Sequence, residues 1–369
     1  MTQAHQTPGK LNPTPTAHVP CALHGMAGTV SAGMGQRLTA APRAKAPAGT
    51  LHSLTLAADN AQRCAATFST NSAPRATAMP YFSIIVPCYN AEATLTATLD
   101  SLAAQTFQNW EAIFVDNGST DRSLRLLQDR AARDPRIVVV SNPGSGPSAA
   151  RNHAAFTVAR GKIIAFCDAD DMWSPDKLWD LHRFYLKTPV DGAYGRVAFF
   201  DKTPHDIRRT SQVGTGSLTV QQLLHGNPVC TLSNLSMRRA AFVKAGGFDE
   251  TLALNADLDF LVRMIDGGAR IEGLDALHVW YRRTRTGLSA NLVAERQSRA
   301  QVLATARRLG YVPSPRAEAR HLRRLARRAI RIGAGPIRAA RLGLAGLAQS
   351  PAGFLSADSS AARPNPAFA

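Results

Sequence analysis

Three carboxylates in four residues, Asp168-Ala169-Asp170-Asp171, follow directly on an apolar run that ends at Cys167. Carboxylates this close repel one another unless a cation or basic groups compensate. A hard divalent cation, magnesium or manganese, that also holds a diphosphate suits such a cluster of oxygen ligands; a solvated acidic turn is the plainer alternative. Two more polar clusters end apolar runs in the same way: Pro87-Cys88-Tyr89-Asn90, and Asp116-Asn117-Gly118-Ser119-Thr120-Asp121. A polar residue after a strand commonly caps the next helix, which is the preferred reading for Ser119 and Asp121.

The elements that must position these clusters alternate. Apolar, β-branched runs predict strands over 82–87, 111–116, 136–141 and 162–167, and apolar residues at helical spacing predict helices over 91–105, 121–133, 148–159 and 175–186. In the first helix the spacing is Leu95, Leu99 and Leu102, with Asn90 placed to cap its start. Strands separated by helices of this length form right-handed βαβ units and a parallel sheet. Ligands bind such sheets beyond the carboxyl ends of the strands, where all three polar clusters fall.

The chain has 369 residues and is 45% hydrophobic, enough for a large buried core. No run of about 18 apolar residues exists to span a bilayer. The net charge of +17 is uneven: residues 79–300 carry 25 Lys/Arg against 23 Asp/Glu, whereas residues 301–345 hold eleven Arg against one Glu. The basicity therefore belongs to the ends and argues against a general nucleic-acid-binding protein. Five cysteines without pairing or metal-ligand spacing indicate a reducing, cytoplasmic setting. Residues 1–78, rich in Ala, Thr, Pro, Gly and Ser, read as a disordered extension. Met79, directly before the first strand, marks an alternative start.

In order and detail the motifs resemble nucleotide-sugar glycosyltransferases of family 2, with the GT-A fold. Phe82-Ser-Ile-Ile-Val-Pro-Cys-Tyr-Asn-Ala-Glu92 resembles that family's opening strand and nucleotide loop, and Phe114-Val-Asp-Asn-Gly-Ser-Thr-Asp121 its second. Gly146-Pro-Ser-Ala-Ala-Arg-Asn152, the DxD region around Asp168-Ala-Asp170, Gly246-Gly-Phe-Asp-Glu250, Asp257-Leu-Asp259, and Tyr281-Arg282 with Ser289 complete the series over roughly 80–290. The resemblance implies an α/β, Rossmann-like, mostly parallel sheet flanked by helices. With the compositional reading of the ends, the chain divides into the extension (1–78), a catalytic domain (79–290), a basic helical region (291–350) and a disordered tail (351–369).

The resemblance also implies roles. Pro87, Tyr89 and Glu92 would line the nucleotide pocket and Asp116 would take a hydrogen bond from the base, uridine being the commonest. Arg151 would sit by the nucleotide or phosphates, Asp168 near the ribose or the metal, and Asp170 on a Mn2+ or Mg2+ ion. Asp257 would be the general base for an acceptor hydroxyl on a glycan or lipid-linked sugar, giving inversion in a single displacement. Two positions depart from the pattern: Asn117 replaces a common second Asp, and Ala256 replaces the usual Glu beside the base. Ala256 raises a second reading, a nucleotide-sugar-binding protein without turnover. Asp259 reads as a helix-terminal acid that favours the dipole.

Other residues read more plainly. His153, His182, His225 and His278 lack metal-ligand spacing, and Cys88 and Cys167 belong to the apolar core. Trp173 and Trp280 suit either acceptor stacking or pocket-wall packing. Residues 316–331 form a basic amphipathic helix, with Ala319, Leu322, Leu325, Ala326 and Ile330 on one side and arginines on the other. Such a helix, with the stretch to 345, suits either an anionic membrane surface or packing on the catalytic domain. Nucleic acid ranks last for this tail because aromatic residues are nearly absent from it.

Overall fold

The computed structural model describes residues 78–356, apart from 202, 208, 253 and 284–289. Residues 1–77 of the extension, Ser289, and 357–369 of the tail lie outside the described residues. The first half alternates as the sequence pattern requires: β1 (Phe82–Cys88), α1 (Leu95–Ala103), β2 (Trp110–Asp116), α2 (Ser123–Ala131), β3 (Ile137–Ser141), α3 (Gly146–His153) and β4 (Ile163–Phe166). A short π-helical turn, Ala154–Val158, follows α3. The second half contains β5 (Met172–Trp173), α4 (Lys177–Lys187), β6 (Gly192–Phe200), β7 (Arg209–Thr210), α5 (Val220–His225), β8 (Leu235–Arg238), α6 (Arg239–Lys244), α7 (Ala256–Asp266) and β9 (Ile271–Arg282). Four helices complete it: α8 (Leu292–Arg308), α9 (Pro315–Arg331), α10 (Pro336–Gln349) and α11 (Pro351–Leu355).

One sheet runs β3-β2-β1-β4-β8-β6-β9-β5, with β7 paired to β6. The neighbours among β1 to β4 are parallel; β8 joins antiparallel to β4 and β6, and β9 runs parallel to β6. This is the α/β sheet flanked by helices expected from the sequence, with antiparallel strands added in its second half. The inner strands are apolar without alternation because helices cover both faces. Ile85, Ile113 and Val115 face one core cluster, while Ile84, Val86, Ala112 and Phe114 face the other, as the two-residue period of a strand dictates.

Register sets the site. Cys88 pairs with Asp116 and Asp116 with Ser141, so the strands end level and their following loops emerge at one edge. The first helix begins at Leu95, four residues later than a cap at Asn90 requires. Asn90 instead takes a left-handed backbone (φ 47°) and its side-chain oxygen accepts the Thr120 amide at 2.8 Å, tying the loops after β1 and β2 together.

The C-terminal region is helical over the span read as basic, and the helix extends further than expected. Pro351–Leu355 forms α11, with Ser350 capping Gly353, inside the stretch read as a disordered tail. Proline at the first helical turn and a serine cap before it are the local signals for that start. Leu325 and Ala329 of α9 pack against Ala339 and Leu342 of α10, forming a small separate core. Ile330, assigned to the apolar side of the helix, is 70% exposed.

Candidate active site

The loops after β1 and β2 are held by short-range polar contacts. The buried Asp116 carboxylate accepts the amides of Gly118 (3.2 Å) and Ser119, closing the turn after β2. Gly118 has φ +81°, a conformation that glycine adopts without penalty. Ser119 Oγ accepts the Asn90 amide (3.1 Å), Ser123 Oγ the Ala91 amide (2.8 Å), and Asp121 the Glu92 amide (3.1 Å). Asp121 also accepts the Ser123 amide at 2.9 Å, the local role expected of it, while joining the two loops. Glu92 accepts from the backbone and side chain of Arg122. Tyr89 is 60% exposed at the rim.

The three acids after β4 divide their roles. Asp168 receives Arg151 Nη2 at 2.6 Å, and Arg151 is itself buried in the last turn of α3. Asp171 is fully buried, where it accepts Ser233 Oγ (2.6 Å) and the Arg282 amide (3.1 Å). Burial, and then the charges of Asp170 and Asp168, push its carboxyl well above the usual range. Asp170 lies between them, its carboxyl raised to about 6, first by burial and next by the Asp168 charge. The repulsion anticipated from spacing is thus relieved by one ion pair and one buried, hydroxyl-bonded carboxyl, while the Arg282 charge and a backbone hydrogen bond only partly offset the burial of Asp170.

That donor set fits a hard divalent cation. Asp168 and Asp170 offer carboxylate oxygens at the strand edge, and a cation beside them offsets the burial and like-charge penalty on Asp170. Among the described residues no group of three or more His, Cys, Asp or Glu side chains is placed to enclose a metal. Two carboxylates without a full protein shell suit an ion that completes its coordination on substrate phosphate and water.

Asp257 stands in the first turn of α7, after Asn255 in a left-handed conformation (φ 55°). Asn227 Nδ2 donates to Asp257 Oδ2 at 2.7 Å. Burial and then the Glu295 charge raise its pKa, while the backbone amide of Leu258 and the Arg151 charge oppose them. Arg151 therefore pairs with Asp168 and lies within electrostatic reach of Asp257. Asp259 is structural, as expected: it pairs with Arg263 at 2.8 Å, both side chains buried, and Arg263 also donates to the Ala245 and Gly247 carbonyls. Ala256 packs in the core.

The Gly246-Gly-Phe-Asp-Glu250 segment is the support for α7. Asn152 donates to the Phe248 carbonyl (2.8 Å) and to Glu250 (2.9 Å), and accepts the Phe248 amide (2.9 Å). Gly247 has φ +71°, and a Cβ there would stand 2.6 Å from Asn152 Oδ1. Gly247→Ala is expected to destabilise the protein by about 1–2 kcal/mol from the left-handed backbone alone, with the clash adding to it. Urea unfolding of the variant measures this, and an unchanged midpoint would remove the supporting role.

Asp257 opens into a cavity of about 540 Å³ walled by residues that the sequence motifs did not single out. Glu295 and Arg299 come from α8, and His321, Arg324 and Arg328 from α9. Arg324, Arg327, Arg328 and Arg331 of the basic helix thus share the cavity with Asp257, whereas Arg320 and Arg323 bond to Ser356 and Phe354. Tyr281 lines the same cavity, whereas Arg282 holds Asp171 through its amide and the Asp170 carbonyl through Nε (3.1 Å). The arginine run was visible in the sequence as charge; nothing local indicated which surface it would meet.

The remaining candidates are structural. Trp173 is fully buried, donates to the Ser233 carbonyl and lies under the Lys177 ammonium at 3.7 Å, so it belongs to the core and not to an acceptor-stacking surface. Cys88 and Cys167 are buried, as expected, and His278 is buried with Nε2 3.4 Å from Asp180.

Residues 83–246 match Glycosyl transferase family 2. The match covers less than half of the chain. Its curated relatives include an uncharacterised glycosyltransferase of Haemophilus influenzae, 35% identical over 150 residues, covering 40% of this chain and 59% of that one. Another is the UDP-Glc:alpha-D-GlcNAc-diphosphoundecaprenol beta-1,3-glucosyltransferase WfgD of Escherichia coli, 36% identical over 114 residues, covering 31% and 44%. The matched parts span less than two thirds of either relative. Among solved structures, the mannosyltransferase PcManGT of Pyrobaculum calidifontis, in complex with GDP-Man and Mn2+, aligns at 20% identity over 85% of this chain and 87% of that one, with a TM-score of 0.49.

Proposed function

We propose that this chain transfers a sugar from a nucleoside-diphosphate sugar, with a UDP-sugar as the leading candidate, to a hydroxyl of a glycan or lipid-linked acceptor. The reaction is a single displacement with inversion, in the assembly of polysaccharide or cell-envelope glycan. The observation that carries this reading is Arg151, ion-paired to Asp168 at 2.6 Å and electrostatically coupled to Asp257. It joins the phosphate-side carboxylates to the candidate base.

The roles follow from chemistry. Pro87, Tyr89, Glu92 and Asp116 bound the nucleotide end, and Arg151 offers positive charge to the phosphates. Asp168 and Asp170 would hold Mn2+ or Mg2+. Such an ion, when bound, neutralises charge on the departing diphosphate. Asp257 takes the proton of the acceptor hydroxyl as that oxygen attacks the anomeric carbon from the face opposite the leaving group. Asn227 orients the carboxylate by donating to one of its oxygens.

The test is donor binding and turnover by the full chain against a panel of nucleotide sugars, with manganese or with EDTA. Nucleotide release is expected with manganese and is expected to fall more than a hundredfold in EDTA or on Asp170→Ala. Binding of no donor in the panel would overturn the reading, and manganese-dependent binding without transfer to any acceptor would favour the non-catalytic alternative.

No helix among the described residues is long and apolar enough to cross a membrane. Peripheral contact with an anionic membrane through 316–345 belongs to the same proposal, supported by Ile330 and Ile337, each 70% exposed beside that run of arginines. Co-sedimentation with vesicles of phosphatidylglycerol is expected, and is expected to weaken on Ile330→Ser with Ile337→Ser; equal recovery without vesicles would refute the contact.

A further inference from the structure

We infer that the cavity at Asp257 is a phosphate-binding acceptor subsite, so that the acceptor is a phosphate- or diphosphate-bearing sugar and not a neutral one. The inference rests on the transfer reading above and specifies its acceptor.

The cavity lining holds seven arginines and two acids, Asp257 and Glu295; Arg283 and Arg299 are also paired with Asp201 and Glu318, which stand outside it, and Arg328 lies 3.7 Å from Glu295. The arginines come from elements distant in sequence, including Arg209 of β7, Arg299 of α8 and Arg331 of α9, so the concentration is a product of the tertiary fold. Guanidinium groups gathered in one partly enclosed space repel one another, and a phosphate relieves that repulsion while accepting paired N–H donors in the planar geometry they present.

A second observation is independent of charge counting. His321 lines the cavity and is only 8% exposed, and its Nε2 is buried without a hydrogen-bond partner. Burial, reinforced by the charges of Arg299, Arg324, Arg328 and Arg296, holds this imidazole well below its usual pKa and therefore neutral. A buried polar atom left without a partner costs free energy that a ligand can recover. Arg299, 4% exposed, is fixed by Glu318 (2.6 Å) and the Leu224 carbonyl (2.7 Å), which makes the wall rigid.

The position identifies the acceptor as the ligand. The lining includes Asp257 and includes neither Asp168, Asp170, Asp116, Glu92 nor Tyr89. The donor's diphosphate already has its own acids and Arg151; the second basic site lies on the side of the base, where the attacking hydroxyl must arrive.

The experiment titrates the full chain with inorganic pyrophosphate in EDTA, which silences the metal-dependent donor site, and in parallel with manganese and a nucleotide sugar. Pyrophosphate is expected to bind wild type and Asp170→Ala alike, and at least tenfold more weakly to Arg328→Gln with Arg331→Gln. Arg209→Gln, a surface change on a different element, is expected to weaken it as well and serves if the double variant does not fold. Citronellyl diphosphate and a glycerol phosphate oligomer then distinguish the sources: the tighter ligand marks a lipid-linked or a phosphodiester acceptor, and either supports the site. No pyrophosphate binding to wild type, or equal binding to both sets of variants, overturns the inference even when donor binding is intact. Failure of the donor arm alone instead overturns the transfer reading, and with it the assignment of this site to an acceptor.

Discussion

Asp257→Asn is expected to lower sugar transfer by about 10²–10⁴-fold, the usual contribution of a positioned general base, with donor affinity retained. The amide is nearly isosteric with the carboxylate, and its oxygen can still accept from Asn227, which donates to Asp257 at 2.7 Å in the wild type. What the variant lacks is a group that can take the acceptor proton. Separate measurement of donor affinity and of transfer rate distinguishes this from misfolding, and a transfer rate within threefold of wild type would exclude Asp257 as the base.

The same residue predicts the pH profile. The Asp257 carboxyl is raised by burial first and by the Glu295 charge next, with Arg151 opposing. A base acts only when deprotonated, so transfer falls as pH drops through this raised pKa, and the acid limb should lie above the ordinary carboxylate range near 4. Glu295→Gln removes a neighbouring negative charge, makes ionisation of Asp257 easier and is expected to move that limb to lower pH. A shift upward would contradict the electrostatics.

Asp259→Ala is expected to destabilise the protein by about 3–5 kcal/mol, the cost of leaving one partner of a buried ion pair uncompensated. Arg263 is buried and has three engagements, with Asp259 at 2.8 Å and with the carbonyls of Ala245 and Gly247. Losing Asp259 leaves the guanidinium charged, away from water and bonded only to neutral oxygens. Because those carbonyls belong to the segment before α7, the loss should also loosen the helix that carries Asp257. Denaturant unfolding gives the direct measure. Asp259→Ala with Arg263→Met should recover part of the stability, since an apolar side chain replaces the stranded charge; a single variant within 1 kcal/mol of wild type would refute the role.

Much of the candidate site was legible because its proposed residues lie in contiguous runs at strand ends. Asp168 and Asp170 follow a buried strand, and a parallel sheet must deliver the residue after each strand to the same edge. Asp116 likewise ends β2, and its carboxylate closes its own turn within three residues. Asp259 could be read as structural because it falls in the first turn of a helix, where an acid favours the dipole; its buried pair with Arg263, four residues along, was shown only by the structure.

Where a residue's partner is distant, local reasoning assigned it the commonest local role. Asn90 was read as a helix cap, yet it bonds to Thr120 on another loop. Trp173 suited either acceptor stacking or pocket-wall packing, and the structure decides it: the ring is buried in the cluster that holds Leu178 and Leu181 of α4, and the Ser233 carbonyl takes its N–H. The distribution of charge over Asp168, Asp170 and Asp171 depends on Arg151, Ser233 and Arg282, which no spacing rule connects to them.

The basic helix shows most plainly how the two levels divide. Its existence, length and amphipathic charge follow from 3.6-residue periodicity, a serine cap and a proline at the first turn, all local properties of 314–331. Which way the arginines point follows from packing: Ala326 and Ala329 bury against α10 while Arg324 and Arg328 reach the cavity of Asp257. Periodicity determines that a helix has two faces; only contacts among segments remote in sequence decide what each face meets, because that choice is made by the free energy of burying surfaces together and not by any one segment's pattern.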